Sequence, residues 1–237
     1  LSHEVKDVGS YFTILKSIAA GHRRPSAIAA QMQIPQTSLS KLMTTLMELD
    51  LVERRVPVTE KQPEKSKKSL YYIKDHFLAF WFRFVYPYRS SLSLQNMEEA
   101  MAAIRRDFIT AHVALVYEDI CAEKMQTMAM EGLFGTPLFR IGRWWDPSTE
   151  IDVVGLGTDE STLVLGECKF QIRPVGTAVL QSLREKASRV AWGKDSETPR
   201  TIHCVLFSRG GFDRNLREIA ASDPTVHLVE HVLPGMI

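Results

Sequence analysis

Apolar residues recur every three or four positions along the first fifty residues, the spacing of one buried helix face. The pattern predicts three short helices between residues 8 and 50. Gly21 ends the first helix, Pro25 opens the second, and the third begins near Pro35 with Thr37 or Ser38 as its cap. The apolar positions are Tyr11, Phe12, Ile14, Leu15, Ile18, Ala27, Ile28, Met32, Leu39, Leu42, Met43, Leu46, Met47 and Leu49.

A hairpin is predicted directly after the third helix. The run Leu51 to Val58 has strand character, Leu70 to Ile73 resumes it, and the stretch between them is polar and basic. Three helices followed by such a hairpin predict a winged helix-turn-helix, in which the third helix enters a DNA major groove and the wing binds phosphate. The cations assigned to this contact are Lys41, Lys61, Lys65, Lys67 and Lys68. The alternative is a solvated loop on a module that packs against another domain.

An aromatic stretch, HFLAFWFRFVYPY at residues 76 to 88, follows the hairpin. So many rings favour a buried helix that joins two modules, because each large apolar side chain contributes about 1.5–3 kcal/mol on burial. Stacking of these rings on single-stranded bases is the alternative. A helical pattern then runs from Met97 to Met130, with a break near Asp107.

Beyond Gly132 the spacing changes to short strands that alternate with helices. The predicted strands cover 138–144, 150–156, 162–170, 201–208 and 225–230, and the predicted helices cover 177–192 and 212–221. Together with the preceding helix they give an αβββαβ-like order and a mixed sheet covered on at least one face. The fold class predicted for the whole chain is therefore α+β.

Composition narrows the functional classes only modestly. The chain has 29 basic and 28 acidic residues and 45% hydrophobic residues, so wholesale disorder and a uniformly basic tail are excluded. Residues 1 to 75 carry 12 Lys and Arg against 8 Asp and Glu, which makes this part the better candidate for meeting a polyanion. Three widely spaced cysteines, and a sequence without a leader or an apolar run of membrane length, favour a cytoplasmic location.

The candidate chemistry lies on two neighbouring strands. If their hairpin turns between Asp159 and Glu160, Asp152 lies across from Glu167, and Lys169 shares a sheet face with Glu167. These three charges would then converge within about 5–8 Å of one another. Two carboxylates in apolar surroundings repel unless a cation lies between them, and a divalent metal ion is the simplest such cation.

Oxygen ligands favour Mg²⁺ or Mn²⁺ at Asp152 and Glu167. Lys169 would position or deprotonate a water or stabilise a phosphate, and Glu118 on the preceding helix would add an acidic group. The alternative is an ion pair between one carboxylate and Lys169 without any metal, to which spacing alone gives equal weight.

Two sets of segments resemble known families. PSAIAAQM and MELDLVERR, at residues 25–32 and 47–55, resemble winged-helix proteins. GRWW, EIDVV and GECKF, at 142–145, 150–154 and 166–170, resemble the PD-(D/E)xK nuclease superfamily, with Ile151 where the name has proline. Combined with DHFLAFWFRFV at 75–85, the order of segments is similar to the carboxy-terminal portion of the archaeal-type AAA+ ATPase family, whose last domain belongs to that nuclease superfamily.

The resemblance implies metal ligation by Asp152 and Glu167, a catalytic role for Lys169 and an acidic contribution from Glu118. It also implies an ATPase domain, attached or separate, although no Gly-x-x-x-x-Gly-Lys-Ser/Thr motif occurs in this sequence. The predicted organisation is a winged helix over 1–75, an aromatic helical connector over 76–106 and a nuclease-like domain over 107–237.

We therefore expect a DNA-binding protein with a Mg²⁺- or Mn²⁺-dependent nuclease domain and no membrane partner. The alternative is a catalytically inactive nuclease fold that binds DNA or protein and regulates an ATPase.

Overall fold

The computed structural model of the protein describes residues 8–193, 199–230 and 232. The chain divides into two compact units, Leu1–Val56 with Gln62–Phe108 and Pro57–Lys61 with Ile109–Ile237. Within the described residues, no helix combines the length and the apolar composition that a membrane crossing requires.

Three helices open the first unit: α1 (Val8–Ala19), α2 (Pro25–Met32) and α3 (Gln36–Glu48). They lie where the hydrophobic spacing predicts them, but α3 begins at Gln36 with Pro35 at its N-cap position, so neither Thr37 nor Ser38 caps it. Pro25 begins α2, a position at which a missing N–H removes no helical hydrogen bond. The buried side chains that join the three helices include Tyr11, Ile14, Leu15, Ile18, Ile28, Leu39, Met43 and Leu46.

A two-stranded antiparallel sheet follows, formed by β1 (Val52–Arg55) and β2 (Leu70–Ile73). Val52 lies opposite Ile73, and Arg55 lies opposite Leu70. Strand β1 is shorter than the predicted run to Val58, because Pro57 cannot donate a ladder hydrogen bond. The N–H of Val58 instead donates to the carbonyl of Arg143 within the second unit, at 2.9 Å.

The loop between β1 and β2 is held by the guanidinium of Arg54. Its nitrogens donate to the hydroxyl of Ser69 at 2.7 Å and to the carbonyls of Pro63 at 2.7 Å and Ser66 at 2.8 Å. Residues Pro63–Lys65 form a single 3₁₀ turn. The planar fork of an arginine can satisfy several acceptors at once, so this one side chain fixes much of the loop.

The aromatic stretch begins with α4 (His76–Phe80), which the carboxylate of Asp75 caps by accepting the N–H of Leu78 at 2.7 Å. It continues as the π-helical segment Trp81–Val85 and the 3₁₀ turn Tyr86–Tyr88, rather than as the single regular helix predicted. Phe82 is buried in the core of the first unit, with its ring 5.5 Å from that of Phe12.

Two further helices, α5 (Arg89–Ser93) and α6 (Glu98–Phe108), complete the first unit. Residues 76–106, the predicted connector, lie within the first unit. They pack with the three amino-terminal helices, because the buried rings extend the core of those helices.

The second unit contains three helices and a five-stranded sheet. After the π-helical turn Ile109–Val113 come α7 (Ala114–Met130), β3 (Leu138–Trp145), β4 (Glu150–Gly157), β5 (Thr162–Lys169), α8 (Thr177–Ala187), β6 (Thr201–Ser208), α9 (Arg214–Ser222) and β7 (Val226–Glu230). The strands lie in the order β3-β4-β5-β6-β7, with the first three antiparallel and the last three parallel. An α+β fold with a mixed sheet is therefore confirmed.

Two apolar layers cover the sheet of the second unit. One layer includes residues of α8 and α9, such as Leu180, Leu183 and Leu216. The other includes Cys121 and Met125 of α7. The predicted strands agree with the observed ones to within one residue at each end, whereas α8 ends at Ala187 and not at Trp192.

Candidate active site

The pairing of β4 with β5 decides where the candidate carboxylates lie. Val153 is opposite Gly166, and Leu156 is opposite Leu163. This is the register that a turn between Asp159 and Glu160 produces. Asp152 and Glu167 are the residues directly beyond the pair Val153 and Gly166, and they are close enough for the charge of Glu167 to act on Asp152. Gly166 permits close packing here, since an added Cβ would lie 2.9 Å from Cε of Met125 on α7.

Asp152 extends from β4 toward the backbone of β5. Its Oδ2 accepts the N–H of Cys168 at 2.9 Å. Burial raises the pKa of Asp152, and the negative charge of Glu167 raises it further. The positive charges of Arg143 and Lys169 act in the opposite direction but do not outweigh these effects. Asp152 and Glu167 therefore interact as like charges in an environment of low polarity.

Glu167 is 9% exposed and contacts two ammonium groups. Its Oε1 accepts from Nζ of Lys169 at 2.7 Å, and its Oε2 accepts from Nζ of Lys186 on α8 at 3.0 Å. Burial acts to lower the pKa of Lys169, but the hydrogen bond to Glu167 and the nearby carboxylates raise it overall. This contact is the ion pair that the sequence left open as an alternative to a metal site.

Glu118 lies on α7 and is 14% exposed at its side chain. One of its oxygens contacts the guanidinium of Arg143 on β3, which also lies 3.7 Å from Glu150. Burial raises the pKa of Glu118 to about 8, although Arg143 favours the ionised form. Asp152 contributes to this rise, so Asp152 interacts electrostatically with Glu118 as well as with Glu167.

The structure thus brings together all four residues predicted for catalysis and metal binding, in an arrangement of mutually interacting charges. Asp152 interacts with Glu118 and with the pair Glu167 and Lys169. Lys186 and Arg143 join this cluster although the sequence analysis did not select them. The available signals were weak: Arg143 precedes the buried Trp144, and Lys186 precedes Ala187 on the inner side of α8.

The side-chain oxygens of Asp152 and Glu167 are the groups that would hold a divalent ion. Among the described residues, no group of three or more His, Cys, Asp or Glu is placed to hold a metal ion. The carboxylate oxygens of Asp152, whose pKa is raised by burial and by the charge of Glu167, and of Glu167 are nevertheless the hard donors that Mg²⁺ and Mn²⁺ prefer. A cation beside Asp152 and Glu167 would relieve their repulsion, with Glu167 giving up a lysine contact in exchange. These residues therefore fit such an ion.

The lysines predicted to contact nucleic acid fall into both units. Lys41 is exposed on α3, and Lys65, Lys67 and Lys68 are exposed in the loop between β1 and β2 of the first unit. Lys61 is exposed in the segment Pro57–Lys61 of the second unit. The five lysines are therefore not a single patch on one unit.

A cleft of about 880 Å³ lies elsewhere in the second unit, around the turn between β4 and β5. Phe139, Glu160 and Trp192 contribute to its lining, as does Lys61, the one predicted site residue among the described lining residues. Asp152, Glu167 and Lys169 do not line it, so this cleft and the carboxylate cluster are separate features.

Comparisons with known proteins identify relatives without an assigned activity. Residues 81–185 match the model of DUF234, described as archaea bacterial proteins of unknown function. This segment includes Glu118, Asp152, Glu167 and Lys169. Such segments are in general linked to ATPase-associated domains.

A curated relative, the uncharacterized protein MJECL04 of Methanocaldococcus jannaschii, is 29% identical over 173 residues. The match covers 72% of this chain and 38% of that protein, so the chain spans well under half of the relative's length.

Among solved structures, the chain is similar to an O-methyltransferase (NcsB1) from neocarzinostatin biosynthesis in complex with S-adenosyl-L-homocysteine. The identity is 14%, and the match covers 94% of this chain and 64% of that one, with a TM-score of 0.22. A TM-score this low supports no argument about fold or function.

Proposed function

We propose that the protein binds DNA through a winged helix and hydrolyses phosphodiester bonds in a Mg²⁺- or Mn²⁺-dependent, PD-(D/E)xK-type nuclease domain. The observation that carries the proposal is the register of β4 and β5. With this register Asp152 lies close to Glu167, and Glu167 precedes Lys169 by two residues on the same strand. The neighbouring residues of the two strands are otherwise apolar. Buried carboxylates with a perturbed pKa and a specific charge partner cluster at functional sites.

The order of elements in the second unit supports a nuclease-type arrangement. α7, then β3, β4 and β5, then α8 and β6 make an αβββαβ sequence of elements around the carboxylates. The candidate residues come from the sheet strands β4 and β5 and from helix α7. Rigid elements of this kind can hold reacting groups in fixed positions.

Each residue has a distinct role in the proposed reaction. Asp152 and Glu167 would hold the ion, which when bound supplies charge stabilisation at the phosphate and a more acidic water. Lys169, within 2.7 Å of Glu167, would position the attacking water or neutralise charge on the phosphate. Glu118, with a pKa near 8, can hold a proton near neutral pH and accept or return it beside Asp152.

The DNA-binding half of the proposal rests on α1, α2, α3 and the hairpin that follows them. Lys41 lies on the exposed side of α3, and the loop between β1 and β2 carries three exposed lysines in four residues, 65 to 68. Exposed cations on a helix and on a neighbouring hairpin loop are the groups that neutralise phosphates in winged-helix complexes.

One observation favours a second candidate function. Both oxygens of Glu167 are already engaged by Lys169 and Lys186. A glutamate whose charge is neutralised by two lysines is expected in a catalytically inactive nuclease fold. Such a fold could bind DNA or protein and regulate an ATPase. The link of DUF234 segments to ATPase-associated domains supports a nearby or attached ATPase under either function.

Cleavage assays distinguish the two functions. The purified protein is incubated with supercoiled plasmid, single-stranded DNA and branched DNA in Mg²⁺ or Mn²⁺, alongside Asp152→Asn, Glu167→Gln and Lys169→Met. We expect each substitution to lower the cleavage rate by about 100-fold or more. Glu185→Gln, at an exposed position of α8, is the matched control and should cleave normally.

Equal cleavage by wild type and Asp152→Asn would contradict the proposed centre. DNA binding without cleavage of any substrate, in either metal, would favour the inactive module instead.

A further inference from the structure

A pair of histidines in the second unit lies outside the candidate active site. His203 is on β6 and His227 is on the neighbouring parallel strand β7, where it pairs with Val205. Because residues two apart on a strand share a face, both imidazoles lie on the same side of the sheet. Nδ1 of His203 and Nε2 of His227 are 3.1 Å apart, and the rings stack with an interplanar angle of 26°.

The pair is enclosed on one side by Phe134. The ring of Phe134 packs edge-on against both imidazoles, with centroid distances of 5.4 Å to each. Burial lowers the pKa of His203 and of His227, and the proximity of His203 lowers the pKa of His227 further. Both rings are therefore neutral at physiological pH, the form in which imidazole binds metal ions.

The distance between the two nitrogens suits a shared metal ion as well as it suits a hydrogen bond. Two imidazole nitrogens at about 2.0–2.1 Å from one tetrahedral ion lie about 3.3–3.4 Å apart. To chelate one ion, the two nitrogens would move apart by a few tenths of an ångström and the rings would turn so that both lone pairs face the ion. One nitrogen must donate a proton in the hydrogen bond, whereas both donate lone pairs to the ion.

The carboxylate that interacts electrostatically with the pair is already engaged. Asp223 interacts electrostatically with both histidines. However, Asp223 accepts a hydrogen bond from Arg184 at 2.6 Å and from the hydroxyl of Thr225 at 2.6 Å. Water or an incoming ligand would therefore complete the coordination of an ion held by the two rings.

We propose that His203 and His227 form a two-histidine site for a transition-metal ion of the Zn²⁺, Co²⁺ or Ni²⁺ class. Imidazole selects these ions over Mg²⁺ and Mn²⁺, so the site differs in chemistry from the carboxylate cluster. It also differs in position: His203 pairs with Val164, near the start of β5, whereas Glu167 and Lys169 are at its end.

Titration of the untagged protein with Zn²⁺ and with Co²⁺ tests the site. We expect one bound ion whose affinity falls by about tenfold or more in His203→Gln and in His227→Gln, because each substitution removes one of the two ligands. His22→Gln, in the first unit, is the control and should bind as wild type does. A large excess of Mg²⁺ should not compete.

Imidazole ¹⁵N spectra of the wild-type protein test the site even where a variant fails to fold. Addition of Zn²⁺ should shift the resonances of exactly two rings, assigned to His203 and His227, and Mg²⁺ should shift neither. Unchanged imidazole resonances with Zn²⁺, or wild-type affinity in both histidine variants, would overturn the proposal and leave an N–H···N hydrogen bond only.

Discussion

Glu118 determines how much negative charge the carboxylate cluster carries near neutral pH. Burial raises its pKa to about 8 in the folded protein, whereas the ordinary value is 4.5. Between these two pH values the folded protein retains a proton that the unfolded chain releases. The free energy of unfolding contributed by this group therefore falls as pH rises through that window.

Glu118→Gln should remove this pH dependence, because glutamine is neutral at every pH. The unfolding free energy of the variant minus that of the wild type should therefore rise by about 1–3 kcal/mol from pH 5 to pH 8.5, in a buffer that contains a chelator. Urea unfolding at a series of pH values measures the difference. Glu123→Gln, at an exposed position of the same helix, should show no such trend, and a parallel trend in both variants would show that burial of Glu118 is not the cause.

Lys169 competes with a metal ion for Glu167 and also serves the proposed reaction. Lys169→Met should therefore separate the two roles. Loss of a partly exposed cation should strengthen Mg²⁺ binding by roughly 2- to 5-fold, while cleavage falls by about 100-fold or more.

Isothermal titration with Mg²⁺, combined with the cleavage assay, measures both quantities. Lys186→Met is the matched comparison, since it removes the second cation from Glu167: it should strengthen Mg²⁺ binding similarly and lower cleavage much less. A loss of Mg²⁺ affinity in Lys169→Met would mean that the lysine supports the metal site and does not compete with it.

Among the secondary-structure elements, β4 and β5 form a hairpin whose strands and register the sequence predicts. The apolar runs on either side of GTDES, at 157–161, fix both strands, and the tight turn then fixes their register. Asp159 explains the turn, because its carboxylate accepts from the N–H and hydroxyl groups of Ser161 and Thr162. The pairing of Val153 with Gly166 was therefore predictable from local sequence alone.

Features that depend on tertiary contact were not predictable in this way. The contact of Lys186 with Glu167 joins α8 to β5, and no local pattern specifies which face of the helix carries a buried cation. The sequence also does not predict the π-helical form of Trp81–Val85, because helical spacing alone does not distinguish α from π geometry. Burial of Phe82 in the core of the first unit is likewise a long-range contact that local spacing does not specify.

Arg54 offers a test of the loop between β1 and β2. Arg54→Lys keeps the charge but cannot reach Ser69, Pro63 and Ser66 at once. Amide hydrogen exchange of residues 62–69 should accelerate by about tenfold, as expected for a net loss of one or two hydrogen bonds. Arg24→Lys, exposed before α2, should leave the exchange rates of the loop unchanged. Unaltered exchange in Arg54→Lys would show that the loop is held by other contacts.

The charge of the whole molecule is nearly balanced, so DNA binding must depend on where the cations lie. Combined replacement of Lys65, Lys67 and Lys68 by alanine should weaken DNA binding and reduce the slope of log affinity against log salt by about 2–3. Fluorescence anisotropy at several salt concentrations measures this slope. Replacement of Arg105, Lys124 and Arg214 by alanine removes the same charge elsewhere. Equal losses in the two triple variants would mean that net charge, and not the loop, governs binding.

The proposed catalytic centre requires a hard cation bound between two strands of the second unit, by Asp152 of β4 and Glu167 of β5. A crystal of the wild-type protein soaked in Mn²⁺ and measured for anomalous scattering tests this most directly. We predict a peak about 2.0–2.2 Å from an oxygen of Asp152 and from an oxygen of Glu167, with at least one lysine displaced from Glu167. A map without a peak there, in which Lys169 and Lys186 both remain on Glu167, would contradict the proposed catalytic centre.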